Sequence, residues 1–280
     1  MGVISVASQE RSGQARPALH RCAVAAAVCS LLGVLSGAIV TSSGVTSSGG
    51  LEFQQLHQIV AVIESLAIAV VGIWMIAKQS AGRGLGWTLL AAVLAEGGLG
   101  SFQSSPGLAI LHAVLGQTLV ALTVAAAVST GSAWSMEPDL VKDHGWPSLG
   151  SLAKITPVFV LGQISLGAAF RHKALGIMPH LIGAMVIVLL ILCICIFVMQ
   201  QFPTHKACRP CANLLMAIAF TQIFLGIAAF TVRTMTTQAT PVVIGVTSAH
   251  ASVGALTLAA AVVLHMQIRR HVRPHREEEE

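Results

Sequence analysis

The sequence predicts an all-α protein that crosses a lipid bilayer eight times, as two pseudo-repeated four-helix bundles. Three observations lead there. Of 280 residues, 55% are hydrophobic and only 10% charged, against about 25% charged in an ordinary soluble domain. Eight stretches are apolar over about the 20 residues that a hydrocarbon core of roughly 30 Å demands: 22–43, 56–77, 84–103, 107–129, 152–170, 177–201, 210–232 and 243–267. The first four and the last four of these stretches share internal patterns. Alternating segments of ~10 residues, which would mark a membrane β-barrel, are absent.

The elements follow in order. Residues 1–21 form a basic tail, 22–130 the first four-helix half, 131–151 a connecting loop, 152–268 the second half and 269–280 a second tail. Thirteen Lys and Arg residues fall in the tails and loops of one side, from Arg11, Arg16 and Arg21 to Arg269, Arg270, Arg273 and Arg276. The other side holds only Arg171, Lys173 and Arg233. Positive charge collects on the cytoplasmic side, so both tails are expected there, in the inner membrane of a bacterial cell. The net charge of +5 therefore reports topology, and no nucleic-acid partner is expected. The first 20 residues run into a full-length span without a cleavage site, so no removable signal peptide is expected. The terminal run of four glutamates reads as a solvated tail.

Odd-numbered spans share a frame: Gly33-Val-Leu-Ser-Gly37, Glu96-Gly-Gly-Leu-Gly100, Gln163-Ile-Ser-Leu-Gly167 and Gln222-Ile-Phe-Leu-Gly226. Even-numbered spans each carry one histidine near the outer end: His57, His112, His180 and His250. Counted from the inner border, the four lie about 28–35 Å out at 1.5 Å per residue, in one layer. Ala61, Gly116, Ala184 or Gly254 follows each four positions later, on the same helix face. The expectation is space beside each imidazole for something flat. Imidazoles inside a bundle suit a metal, and facing pairs suit haem iron; zinc is the alternative.

Other residues leave alternatives open. Arg171, His172 and Arg233 break the positive-inside pattern, and arginine's planar fork matches a carboxylate; lipid headgroups are the other partner. Glu64 lies seven residues past His57 on the same face, and Glu96 takes the slot of Gln163 and Gln222. Intramembrane carboxylates are functional by default, although each also suits a protonated, hydrogen-bonded acid. Cys208 and Cys211 form a C-x-x-C, read as plain thiols or half a metal site. His20, His144, His205, His271 and His275 are expected to be solvated and His265 interfacial. The Gly82–Gly86 run follows no strand and is no dinucleotide fingerprint.

"LGQISLGAAFRHKALGIMPHLIGA" (161–184) resembles the second-half signature of the haem A synthases of cytochrome oxidase assembly, and the one histidine per even span is similar too. The likeness extends loosely over 20–270. It implies that His180 and His250 ligate a prosthetic haem b, that His57 and His112 hold haem O, and that a methyl group of haem O is oxidised to the formyl of haem A with oxygen from water. Arg171, His172 and Arg233 would meet propionates. A haem O synthase and oxidase assembly factors would be partners, besides the lipid bilayer. The family's glutamate three residues before the first histidine is replaced by Gln54, which does not ionise; Glu52 is the nearest carboxylate. The family's outer-loop cysteine pair is missing from 41–55. A non-catalytic haem b protein in electron transfer or oxidase assembly is the rival expectation. A transporter fits less well, because no paired broken helices occur at midplane.

Overall fold

The computed structural model describes residues 17–44, 48–78, 82–102 and 105–274. Arg11, Arg16, His275, Arg276 and the terminal glutamates lie outside them. The described chain folds into eight long helices: α1 (Pro17–Ser43), α2 (Ser48–Lys78), α3 (Arg83–Ser101), α4 (Pro106–Thr130), α5 (Leu149–Arg171), α6 (Met178–Gln201), α7 (Cys208–Met235) and α8 (Pro241–His271). Seven are long and apolar enough to cross a membrane, as expected of an integral membrane protein. The exception is α3, 19 residues long, in which five glycines, Arg83 and Glu96 dilute the apolar content.

Starts and stops are written locally. Pro106 opens α4 and Pro241 opens α8, where a missing N–H costs nothing because the first turn has no acceptor for it. Ser105, Ser148 and Thr240 each cap a first turn by accepting a backbone N–H at 3.2–3.3 Å.

Helices α1 to α4 pack in a ring, each against the next and α4 against α1; α5 to α8 do the same. The rings meet where α8 touches α1 and α4, and where α4 touches α5. Each ring has its own apolar core. Leu19, Ile68, Met75, Leu89 and Leu119 fill the first, and Ile191, Ile194, Leu215, Leu258 and Leu264 the second. Large apolar side chains also face outward, among them Leu66, Leu94, Val158, Met185 and Phe224, each more than 60% exposed. Outward-facing apolar surface on this scale needs a lipid solvent.

The connection between rings is fastened at the end remote from the four histidines. Strand β1 (Val141–Asp143) pairs in parallel with β2 (Val272–Pro274), Val141 opposite Val272. The buried Asp143 carboxylate accepts the N–H of Leu149 at 2.6 Å and of Gly145 at 3.0 Å, anchoring the start of α5. The Arg270 guanidinium lies 4.5 Å over the Trp134 ring and donates to the Met136 carbonyl.

Here the expectation of solvated histidines fails at two positions. His205 and His271 are buried, their rings 4.9 Å apart. Both donate to the Asp139 carbonyl, at 3.2 and 3.0 Å, while His205 Nδ1 accepts the N–H groups of Ala207 and Cys208. Loop polarity invites a solvated assignment, but these rings satisfy backbone groups that the fold buries. His20, half-buried, likewise bonds the Ala127 carbonyl at 2.9 Å. Cys208 and Cys211 are free thiols, Cys208 fully buried.

Replacing Asp143 with alanine would leave two backbone N–H groups without an acceptor, the one on Leu149 being buried. The expected loss is about 1–3 kcal/mol, read as a lower Tm in detergent; an unchanged Tm would show that the clamp contributes nothing.

Candidate functional site

The four even-helix histidines share one construction. Each comes early in its helix, and each ring lies against the last glycine of the five-residue frame on the preceding odd helix. A Cβ added at Gly37, Gly100, Gly167 or Gly226 would stand 3.1, 3.2, 2.9 or 3.1 Å from Cε1 of His57, His112, His180 or His250 respectively. A methyl group there would crowd the ring, so these glycines serve close approach.

The rings then meet in pairs. His57 of α2 and His112 of α4 have ring centroids 6.3 Å apart at an interplanar angle of 72°. His180 of α6 and His250 of α8 have centroids 6.2 Å apart at 89°. One pair lies in each ring of helices, although α2 and α4 are not neighbours in theirs, nor α6 and α8 in theirs.

What holds each Nδ1 decides what Nε2 can do. Ser36 Oγ donates its one proton to the Gly33 carbonyl at 3.0 Å, so it accepts from His57 Nδ1–H at 2.9 Å. His112 Nδ1 faces the Glu96 carboxyl at 3.1 Å. Gln163 Nε2 faces His180 Nδ1 at 3.1 Å and donates to the His180 carbonyl at 2.8 Å. His250 Nδ1 is buried without a hydrogen bond, beside Gln222, whose Oε1 is also buried and unpartnered. No Nε2 of the four makes a hydrogen bond to a described residue. His57 Nδ1 donates to Ser36 and leaves Nε2 open, the arrangement of a metal-ligating histidine.

The pair spacing fits one metal between two rings. A metal–nitrogen bond of about 2 Å, with each ring centre roughly 1 Å further back, sets the centroids about 6 Å apart. Among the described residues, no group of three or more His, Cys, Asp or Glu side chains gathers for a metal ion. Two imidazoles fall short of the four protein ligands of a structural zinc; they match the two axial ligands of a haem, whose macrocycle supplies the rest. On this donor set the residues fit haem iron better than zinc.

The space that the small residues were expected to leave is differently used. Gly116 and Gly254 face Glu96 and Gln222, and Gly183 faces Gln163; a Cβ there would lie 3.0, 3.3 and 2.2 Å from these side chains. These glycines thus seat the side chains behind the imidazoles. Gly33 does the same for the buried Glu64, whose Oε2 lies 2.0 Å from where a Cβ would stand.

Arg171 crosses between the rings. Its Nη2 donates to the Ala38 carbonyl and to Ser42 Oγ, and Ser42 in turn meets Thr247 of α8 at 2.8 Å. That guanidinium corner is engaged with α1 and not open to an anion. Arg233 is exposed on α7. His172 follows Arg171; burial pushes its pKa below the ordinary value, and the neighbouring Arg171 charge pushes it further down. Glu52 is exposed and Gln54 half-buried early in α2, and neither makes a hydrogen bond or ion pair to a described residue. Ser36 went unnoticed in the sequence because the other three frames carry leucine there (Leu99, Leu166, Leu225). No protein-family profile matches the chain, and no curated protein sequence matches it.

Gly167→Ala should lower Tm by the equivalent of about 1–3 kcal/mol through overpacking. Gly98→Ala, where nothing stands within 4 Å of the new Cβ, should leave Tm unchanged or raise it by up to about 1 kcal/mol. Thermal unfolding of both in detergent checks the contrast.

Proposed function

We propose that the chain is a haem A synthase-like oxidoreductase of a bacterial inner membrane, oxidising a methyl group of haem O to the formyl group of haem A for cytochrome oxidase biogenesis. In this reading eight helices cross the bilayer as two repeated bundles, α3 included, with both termini cytoplasmic and the histidines near the outer face. The observation that carries it is the matched spacing of the two imidazole pairs, 6.3 and 6.2 Å, one in each ring of helices.

His180 and His250 would hold a haem b, and His57 and His112 the haem O; the bound haem iron supplies the redox chemistry. The chain's own part is positional. The glycine seats fix the depth of each ring, and Ser36, accepting from His57 Nδ1–H, fixes that ring's orientation and leaves its Nε2 for the metal. Arg233, exposed near the same end, is suited to a propionate; Arg171 is better suited to holding the two rings of helices in register. A haem O synthase and oxidase assembly factors are the partners such a reaction calls for.

The second reading is a non-catalytic haem b protein in electron transfer or oxidase assembly. Gln54 favours it, since an amide cannot take a proton from water, and so does Glu52, which makes no contact with His57. Co-expression with a haem O synthase in a host lacking haem A separates the two. Haem A in the extract, lost in His57→Ala and His112→Ala, is the expected result. Haem O alone from well-folded protein carrying haem b would favour the second reading. Purified His180→Ala and His250→Ala should lose one low-spin haem signal and keep the other; four variants with the wild-type spectrum would overturn the ligand assignment.

A further inference from the structure

The two imidazole pairs match in spacing but differ in what surrounds them. Behind His112 stands a carboxyl, Glu96, at 3.1 Å. At the equivalent positions behind His180 and His250 stand amides, Gln163 and Gln222. A second buried carboxyl, Glu64, lies in the first ring of helices, seated against Gly33 of α1. Helices α5 to α8 contain no Asp or Glu at all. Arg171 lies between the pairs: its charge acts on His250, and it donates to the Ala38 carbonyl, next to the Gly37 that seats His57. The first pair thus has a carboxyl behind one imidazole, where the second has amides behind both.

A carboxylate accepting from the ring N–H opposite the metal raises the basicity of the ligating nitrogen. A more basic ligand and nearby negative charge both favour the oxidised, more positive iron. Cations nearby favour the reduced iron. Burial strengthens both effects, because they act at an effective dielectric constant well below that of water.

Given the haem-binding reading above, on which this inference rests, we propose that the pairs are poised at different reduction potentials. The His57–His112 site is the lower, the His180–His250 site the higher, and Glu96 is the positioning residue that sets most of the difference. With haem held at both sites, one electron would pass downhill from the His57–His112 site to the His180–His250 site, with no atom transferred. The acid group on α3 gives the two otherwise matched sites a direction.

The test is a spectroelectrochemical titration of the purified full chain loaded with haem b. The wild type should show two midpoints, the lower one vanishing in His112→Ala and the higher one in His180→Ala. Glu96→Gln should raise the lower midpoint by at least tenfold in the equilibrium constant, about 59 mV for one electron, and leave the higher within a third of that shift. Gln163→Glu should lower the higher midpoint, testing the same effect in the opposite direction should Glu96→Gln fold poorly. Haem at both sites with midpoints unmoved in both variants, or a lower midpoint belonging to His180–His250, would overturn this proposal alone. A protein that takes up no haem would overturn the haem-binding reading and this proposal together.

Discussion

An imidazole laid against a helix backbone, where a glycine omits its side chain, is the contact on which the rest of the structure depends. It recurs at Gly37, Gly100, Gly167 and Gly226, with the virtual Cβ 2.9–3.2 Å from the ring carbon each time. The approach does two things at once. It draws each odd helix close to the even helix that follows, as small residues do where hydrophobicity cannot drive association within lipid. It also holds a polar ring at a fixed depth, with one nitrogen turned back toward the odd helix and the other left open. Each seat comes from one five-residue frame facing one histidine.

Polar groups elsewhere in the helices follow the same economy. Most Ser and Thr hydroxyls within the long helices bond a carbonyl three or four residues back, as Ser30, Thr41, Thr123, Thr156 and Thr257 do. Such bonds satisfy the hydroxyl without a partner helix. The side chains that do reach across are concentrated around the histidines: Ser36, Glu96 and Gln163 to a ring, and Arg171 to α1. Cross-helix polarity marks the site, and the apolar cores lie toward the end where the loop 131–148 is clamped.

Much of this was legible in the sequence. Composition and span length gave a helical membrane protein, and the helix borders fall within a few residues of expectation except at α1, α2 and α8, which begin or end several residues further out. The histidine quartet was visible because helical depth can be counted along a chain. Its pairing came only through the family resemblance, since counting gives depth and not the angle around a bundle. A gap seen on one helix says nothing of which neighbour fills it: Glu96 and Gln222 face two of the four expected small residues, Gly116 and Gly254. Ser36 carried no repeat signal, and His205 and His271 sit in polar loops that fold back upon themselves.

The central claim is that each pair of rings embraces one iron, with the two imidazoles of a pair set steeply to one another, at 72° and 89°. Electron paramagnetic resonance of the oxidised, haem-loaded protein tests it most directly, because low-spin ferric iron reports the mutual angle of its axial rings. The account predicts a strongly anisotropic low-spin signal, as steeply crossed imidazoles give. A purely high-spin signal, or the ordinary rhombic spectrum of parallel rings, would contradict it.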